Sequence, residues 1–171
     1  MRAKTTLAMF TMFAALAAGL LAHGAAAHAA ETWSHSSRPG HLASASNRSG
    51  HVFGQQCNAG DGRCTYVLAI PARCEDGETY PLLANSDSSA NVVEVVCDGP
   101  FGRRAADGRA LYRYVLLNFA SVDHQVRHSR RVGFAFPLER DGILVSRFSL
   151  AGAVEAIAAM RSAAGRAAGA R

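Results

Sequence analysis

The chain has 171 residues, of which 49% are hydrophobic and 18% charged, with four cysteines and seven histidines. That length suits one domain and excludes a multidomain enzyme, while the apolar content excludes disorder throughout. The formal charge of +5 overstates the basic excess. Residues 1–29 read as a secretory signal: Arg2 and Lys4 form the charged start, 7–21 the apolar stretch, and Ala27-His28-Ala29 a small-x-small cleavage site, with a cut after Ala27 as the alternative. The apolar run is short for a bilayer span of about 20 residues. No later stretch approaches that length, so no integral membrane segment is expected after cleavage. Taking Arg2 and Lys4 from the 18 basic residues leaves 16 arginines against 13 carboxylates. So small an excess does not point to nucleic acid as a partner.

Residues 30–50 are rich in Ser, Gly and Arg with little apolar periodicity, and read as a flexible arm. Trp33 is the exception. It is expected to dock on the domain, with a partner contact as the alternative.

Four cysteines in an exported chain of this size predict two disulfides, for which three connectivities are possible. Cys57–Cys64 with Cys74–Cys97 is favoured, because the turn-rich segment Asn58-Ala59-Gly60-Asp61-Gly62-Arg63 brings Cys57 and Cys64 together across a hairpin. These loops contribute roughly 2.5 and 3.5 kcal/mol in the chain-entropy model. No Cys-x-x-Cys is present to suggest a redox or zinc site.

From His51 onward, Asp-Gly recurs at 61–62, 76–77, 98–99, 107–108 and 141–142 beside apolar segments, a strong hairpin signal. The predicted strands are 51–57, 64–70, 78–84, 91–97, 110–119, 131–139 and 143–149. About seven short strands predict a mainly β fold, an antiparallel sandwich or partly closed barrel. Pro71, Pro81 and Pro137 assign their surroundings to strand ends, edges or bulges. For the last hairpin, a three-residue loop Arg140-Asp141-Gly142 with Gly142 left-handed predicts that Leu138 faces Leu144, Phe134 faces Phe148 and Val132 faces Leu150.

A C-terminal helix is predicted from Ser149 as N-cap, with Leu150, Val154, Ile157, Met160 and Ala164 as its stripe and Gly165 as its stop, placing the domain at 51–164 and a disordered tail at 165–171. A shorter helix is predicted over 121–131, capped by Ser121 with Asp123 in its first turn.

His124 and His128 stand four apart with Asp123 adjacent, the strongest spacing for a metal, but Gln125 occupies the place where a zincin motif needs Glu. The bland alternative is a pair of solvated surface histidines. Ser121, Asp123 and His124 share a segment without the geometry of a hydrolytic triad, and no nucleophile elbow exists. Glu75, Asp76 and Glu78 read as a solvated turn, and 85–89 as a polar loop with too few carboxylates for calcium. No catalytic residue and no cofactor are expected. Two arginine clusters are candidate contacts for an acidic protein or an anionic envelope component: Arg103 and Arg104 with Arg109 and Arg113, and Arg127 with Arg130 and Arg131.

The C-terminal third adds a resemblance. Leu117-Asn118-Phe119, Val122 and Val126, Arg131-Val132-Gly133-Phe134, Asp141-Gly142 and 148–157 with Ser149-Leu150-Ala151-Gly152 resemble the end of the bacterial invasion-associated locus B family, as do Cys57 and Cys64 its early cysteine pair. Two features depart from that family: Cys74 and Cys97 are far apart, and His51-Val52-Phe53-Gly54 precedes the first cysteine. The resemblance implies a small exported β-rich protein linked to host-cell interaction, without catalytic residues to carry over. Together these readings predict a non-enzymatic exported binding module, periplasmic or secreted, that contacts another protein or an envelope or host component. The alternatives are an envelope enzyme or metal-binding protein using His124, His128 and Asp123, and a periplasmic inhibitor or immunity-type protein.

Overall fold

The computed structural model describes residues 32–37, 40–58, 60–138 and 142–169. The expected leader lies outside the described residues. Strands β1 (Ser34–Ser36), β2 (His41–Ser46), β3 (Val52–Cys57), β4 (Cys64–Ile70), β5 (Thr79–Ser86), β6 (Ala90–Arg104) and β7 (Ala110–Leu116) precede helix α1 (Phe119–His128). Strands β8 (Arg131–Leu138) and β9 (Gly142–Ser149) and helix α2 (Ala153–Gly169) follow. The strands form one antiparallel sheet ordered β1-β2-β3-β4-β7-β6-β5-β8-β9, curled into a half-barrel. Of the two expected β architectures, the partly closed barrel is therefore the one formed, with two additional strands.

Those two strands correct the arm. His41–Ser46 pairs along its whole length with β3, and its Ala43 and Ala45 are buried. Small residues suit this strand because α2 packs directly over it. Trp33 is also buried and donates its indole N–H to the Ser149 carbonyl at 2.8 Å, so it docks, as expected.

Alternation explains the sheet. Phe53, Tyr66, Leu68, Leu82, Val93, Val95, Tyr114, Phe134, Phe136 and Phe148 point inward, while many of their neighbours along the strands face out and Val52, Ala69, Ala105 and Leu111 form a second, smaller cluster. Phe53 sits at the centre, with ring centroids 4.8 Å from Phe134, 5.6 Å from Phe148 and 5.8 Å from both Trp33 and Tyr66. Next to it, Gly54 has to be glycine. A Cβ there would stand 2.3 Å from the Ala43 carbonyl oxygen and 2.6 Å from the Ser44 Cβ, so β2 approaches β3 only because that atom is missing.

Both predicted disulfides form, Cys57–Cys64 across the β3–β4 hairpin and Cys74–Cys97. Such bridges belong to an oxidising, extracytoplasmic environment. Among the described residues, no helix is long and apolar enough to cross a membrane.

Four local expectations are revised. Asp98-Gly99 is no hairpin turn: Gly99 (φ 71°) lies inside β6, where a register shift between Cys97 and Pro100 bends the strand. In the last hairpin, Leu138 pairs with Gly142 and not with Leu144, so Gly142 belongs to β9 and not to the loop, while 139–141 lie outside the described residues. Val132 then stands opposite Phe148, Phe136 opposite Leu144, and Phe134 opposite Ser146. The inward set is unchanged, because the displacement is an even number of residues. Finally, α1 starts two residues before Ser121, with Asn118 at its N-cap and no acid in its first turn. α2 runs through Gly165 to Gly169, which replaces the expected tail over 165–169 with helix.

Candidate functional site

At one end of the β8–β9 hairpin, Ser129-Arg130-Arg131 and Ser149-Leu150-Ala151 line an open cleft of about 440 Å³. Its geometry starts where α1 stops. Ser129 is extended (φ −130°, ψ 158°), which turns the chain from the helix onto β8. The Ser129 hydroxyl donates to Ser88 Oγ at 2.8 Å, and the Arg130 backbone N–H donates to Asp87 Oδ2 at 2.9 Å. The 86–89 loop thus anchors this rim, its own turn closed by the N–H groups of Ser88 and Ser89 on Ser86 Oγ. On the other side, the Leu150 N–H donates to the Arg130 carbonyl at 2.8 Å.

The backbone is fixed while the cations are left outside. The Arg130 side chain is 90% exposed and 3.8 Å from Asp87. Arg131 is exposed and has no ion pair among the described residues. The Arg130 N–H, more than any other contact, holds the Asp87 carboxyl below the usual carboxylate range, helped by the charges of Arg130 and Arg131 and opposed by partial desolvation. Two guanidinium groups beside a concave apolar wall can grip a carboxylate or phosphate in fork geometry.

The other predicted arginines are already engaged, except Arg103. Arg104 donates to the Gly108 carbonyl at 2.7 Å, Arg109 pairs with Asp107 at 2.7 Å, and Arg113 bonds Asp98 and, at 3.0 Å, Gln56. Arg103 is exposed on β6. Arg127 belongs to a different assembly from Arg130 and Arg131.

That assembly lies between the helices and was not read from the sequence. Tyr66, fully buried on β4, donates its hydroxyl to Asp123 Oδ1 at 2.8 Å. Arg161 of α2 donates to the same oxygen at 3.0 Å and to Gln55 Oε1 at 2.7 Å, while Arg127 donates to Asp123 Oδ2 at 2.6 Å. Burial alone pushes the Asp123 carboxyl upward. Hydrogen bonds from Arg127 and Tyr66 and the two guanidinium charges outweigh it and hold the group below its ordinary range. Burial first, and the bond to Asp123 second, push the Tyr66 phenol far upward, so it stays protonated. Tyr66, Asp123, Arg127 and Arg161 border a partly open cavity of about 130 Å³ together with Val154 and Ile157. The legible signal was the four-residue spacing of Asp123 and Arg127, the spacing of helical ion pairs.

Asp123 is therefore turned away from the two histidines. His124 and His128 stack with centroids 4.3 Å apart, and His128 Nδ1 is bonded to the His124 carbonyl at 2.8 Å. No group of three or more His, Cys, Asp or Glu side chains able to hold a metal occurs among the described residues. Ser121 is likewise drawn off, accepting from Asn91 Nδ2 at 3.3 Å. The elements thus join neither the metal trio nor the triad.

Comparison of the chain with protein-family models, with curated proteins and with solved structures finds no match.

Proposed function

We propose that this is a non-enzymatic exported binding module, periplasmic or secreted, whose cleft at Arg130 and Arg131 receives an acidic segment of another protein. The observation that carries this reading is the contrast within one site: a rim whose backbone is held by Asp87 and the Leu150 N–H and whose Ser129 hydroxyl is held by Ser88, bearing two exposed arginines. A rigid rim loses little ordering entropy on association, and exposed arginines steer an acidic partner toward it. The resemblance to the invasion-associated locus B family points the same way, toward interaction outside the cytoplasm.

The test is a photo-crosslinking amino acid placed at position 131 or 151 in the exporting cell, with position 103 as the comparison site. Adducts at 131 and 151 that vanish in Arg130→Glu, and that are absent at 103, are the expected result. Adducts distributed equally over the three positions, or unaltered by Arg130→Glu, overturn the assignment of the cleft.

A further inference from the structure

Residues 154, 157, 158 and 161 recur at steps of three and four and share one face of α2, as 123, 126 and 127 do on α1. These two faces and Tyr66 of β4 border the partly open cavity of about 130 Å³. Its apolar border is Val126, Val154, Ile157 and Ala158, of which Val154 is left 41% exposed. Its polar border is Tyr66, Asp123, Arg127 and Arg161.

The polar border is unbalanced both in charge and in hydrogen bonding. Asp123 is held ionised, so one carboxylate meets two guanidinium groups and one positive charge is left over. Arg127 spends only its Nε on Asp123, while Arg161 spends Nε on Gln55 and Nη2 on Asp123. Both Nη atoms of Arg127 and Nη1 of Arg161 make no hydrogen bond among the described residues. Gln55, directly opposite Tyr66 in the β3–β4 pairing, is fully buried, and its Nε2 has no partner among the described residues either. Donors therefore exceed acceptors at this site. Arg161 is at the same time fixed, by its two bonds and by the Phe119 ring, whose centroid lies 5.9 Å from its Cζ. An anion thus meets a guanidinium with little side-chain entropy left to lose.

We propose that this cavity binds a short-chain aliphatic monocarboxylate, with the carboxylate on the free N–H groups of Arg127 and Arg161 and the alkyl chain against Val126, Val154, Ile157 and Ala158. A single negative charge matches the single positive charge in excess, and carboxylate oxygens supply the acceptors that the guanidinium groups lack. Space sets the length: about 130 Å³ takes roughly four water-sized groups of about 30 Å³ each, which a carboxylate and about three carbons fill. The alkyl chain covers apolar surface that otherwise faces water. Inorganic phosphate brings no apolar part to that surface, and an alkylammonium adds a cation where cations are already in excess. The cavity shares no residue with the cleft at Arg130 and Arg131, so this inference stands apart from the proposed function.

Titration of sodium butyrate into the oxidised full exported protein, followed by NMR of isotope-labelled valine and isoleucine methyl groups, tests it, with butylammonium and inorganic phosphate run beside it. Expected are saturable shifts at Val126, Val154 and Ile157 with a dissociation constant of about 1 mM, and no such shifts with the other two probes. Arg127→Gln removes one guanidinium, and Ala158→Phe narrows the cavity from α2. Both positions are exposed, so the fold is expected to persist, and each variant is expected to raise the constant at least about fivefold. Arg103→Glu, far from the cavity lining, is expected to leave it unchanged. Shifts that do not saturate by about 50 mM, or phosphate binding as tightly as butyrate, overturn the proposal. So does butyrate binding that survives Arg127→Gln and Ala158→Phe but is lost in Arg130→Glu, which assigns the anion to the cleft instead.

Discussion

Removing the Tyr66 hydroxyl tests whether the polar assembly between the helices is a structural lock. Tyr66 is fully buried and donates to an ionised carboxylate at 2.8 Å, a class of bond that contributes about 1.5–3 kcal/mol. In Tyr66→Phe the Asp123 carboxylate keeps both arginines, and the adjoining cavity of about 130 Å³ has room for water, so the expected loss is at the low end, about 1.5 kcal/mol. Asp123→Ala is more costly, about 3 kcal/mol, because it strands a buried hydroxyl and leaves Arg161 with only its bond to Gln55. Arg127, on the exposed side of the carboxylate, adds little of this. The two substitutions remove the same bond, so the double variant is expected to fall short of their sum by about 1 kcal/mol or more. Urea unfolding with the disulfides intact measures all four proteins, with Trp33, the only tryptophan and buried, as the fluorescence reporter. Additivity to within about 0.5 kcal/mol would show that the bond carries no energy and refute the lock.

Other outcomes follow from single sites. Gly54→Ala places a Cβ 2.3 Å from the Ala43 carbonyl oxygen and is expected to cost more than about 3 kcal/mol, read as a lowered melting temperature or loss of soluble protein. Replacing Cys74 and Cys97 together by serine is expected to cost about 3.5 kcal/mol, and an unchanged urea midpoint would contradict it. His51 is buried beside Arg109, and both effects hold its imidazole below the ordinary 6.5, with Asp107 opposing. The folded chain then binds fewer protons than the unfolded one. Stability is complete above that ordinary value and is lost as pH falls below it toward the folded pKa, before the carboxylates titrate. In His51→Gln, the melting temperature is expected to vary less between about pH 7 and pH 5 than in the parent.

Most of the sheet was legible because burial alternates along each strand and Asp-Gly pairs separate them, so the predicted strands 64–70 and 131–139 fall within a residue of β4 and β8. β2 was not, because a strand lying under α2 needs small side chains, and His41-Leu42-Ala43-Ser44-Ala45-Ser46 has little of the hydrophobicity that marks a strand. The hairpin register failed for a related reason: 280 and 282 as the sum of paired numbers bury the same faces, and only backbone geometry chooses between them. At the candidate site, Arg130 and Arg131 were identifiable as cations. Their separation from Arg127 was not, since it depends on Tyr66 and Arg161 drawing Asp123, and with it Arg127, to the opposite side of α1. Those partners lie 57 and 38 residues away in sequence.

Trp33 reaches across 116 positions to bind the carbonyl of Ser149. A growing chain presents its indole long before the strand that receives it, by roughly 6–23 s at translation speeds of about 5–20 residues per second. During that interval the large side chain just ahead of the first strand waits without its socket, and local hairpins alone cannot provide one. Completion of the last strand is therefore the step that latches the beginning of the domain in place, so a chain truncated before Ser149 is expected to remain an open, adhesive intermediate that invites chaperones and proteases.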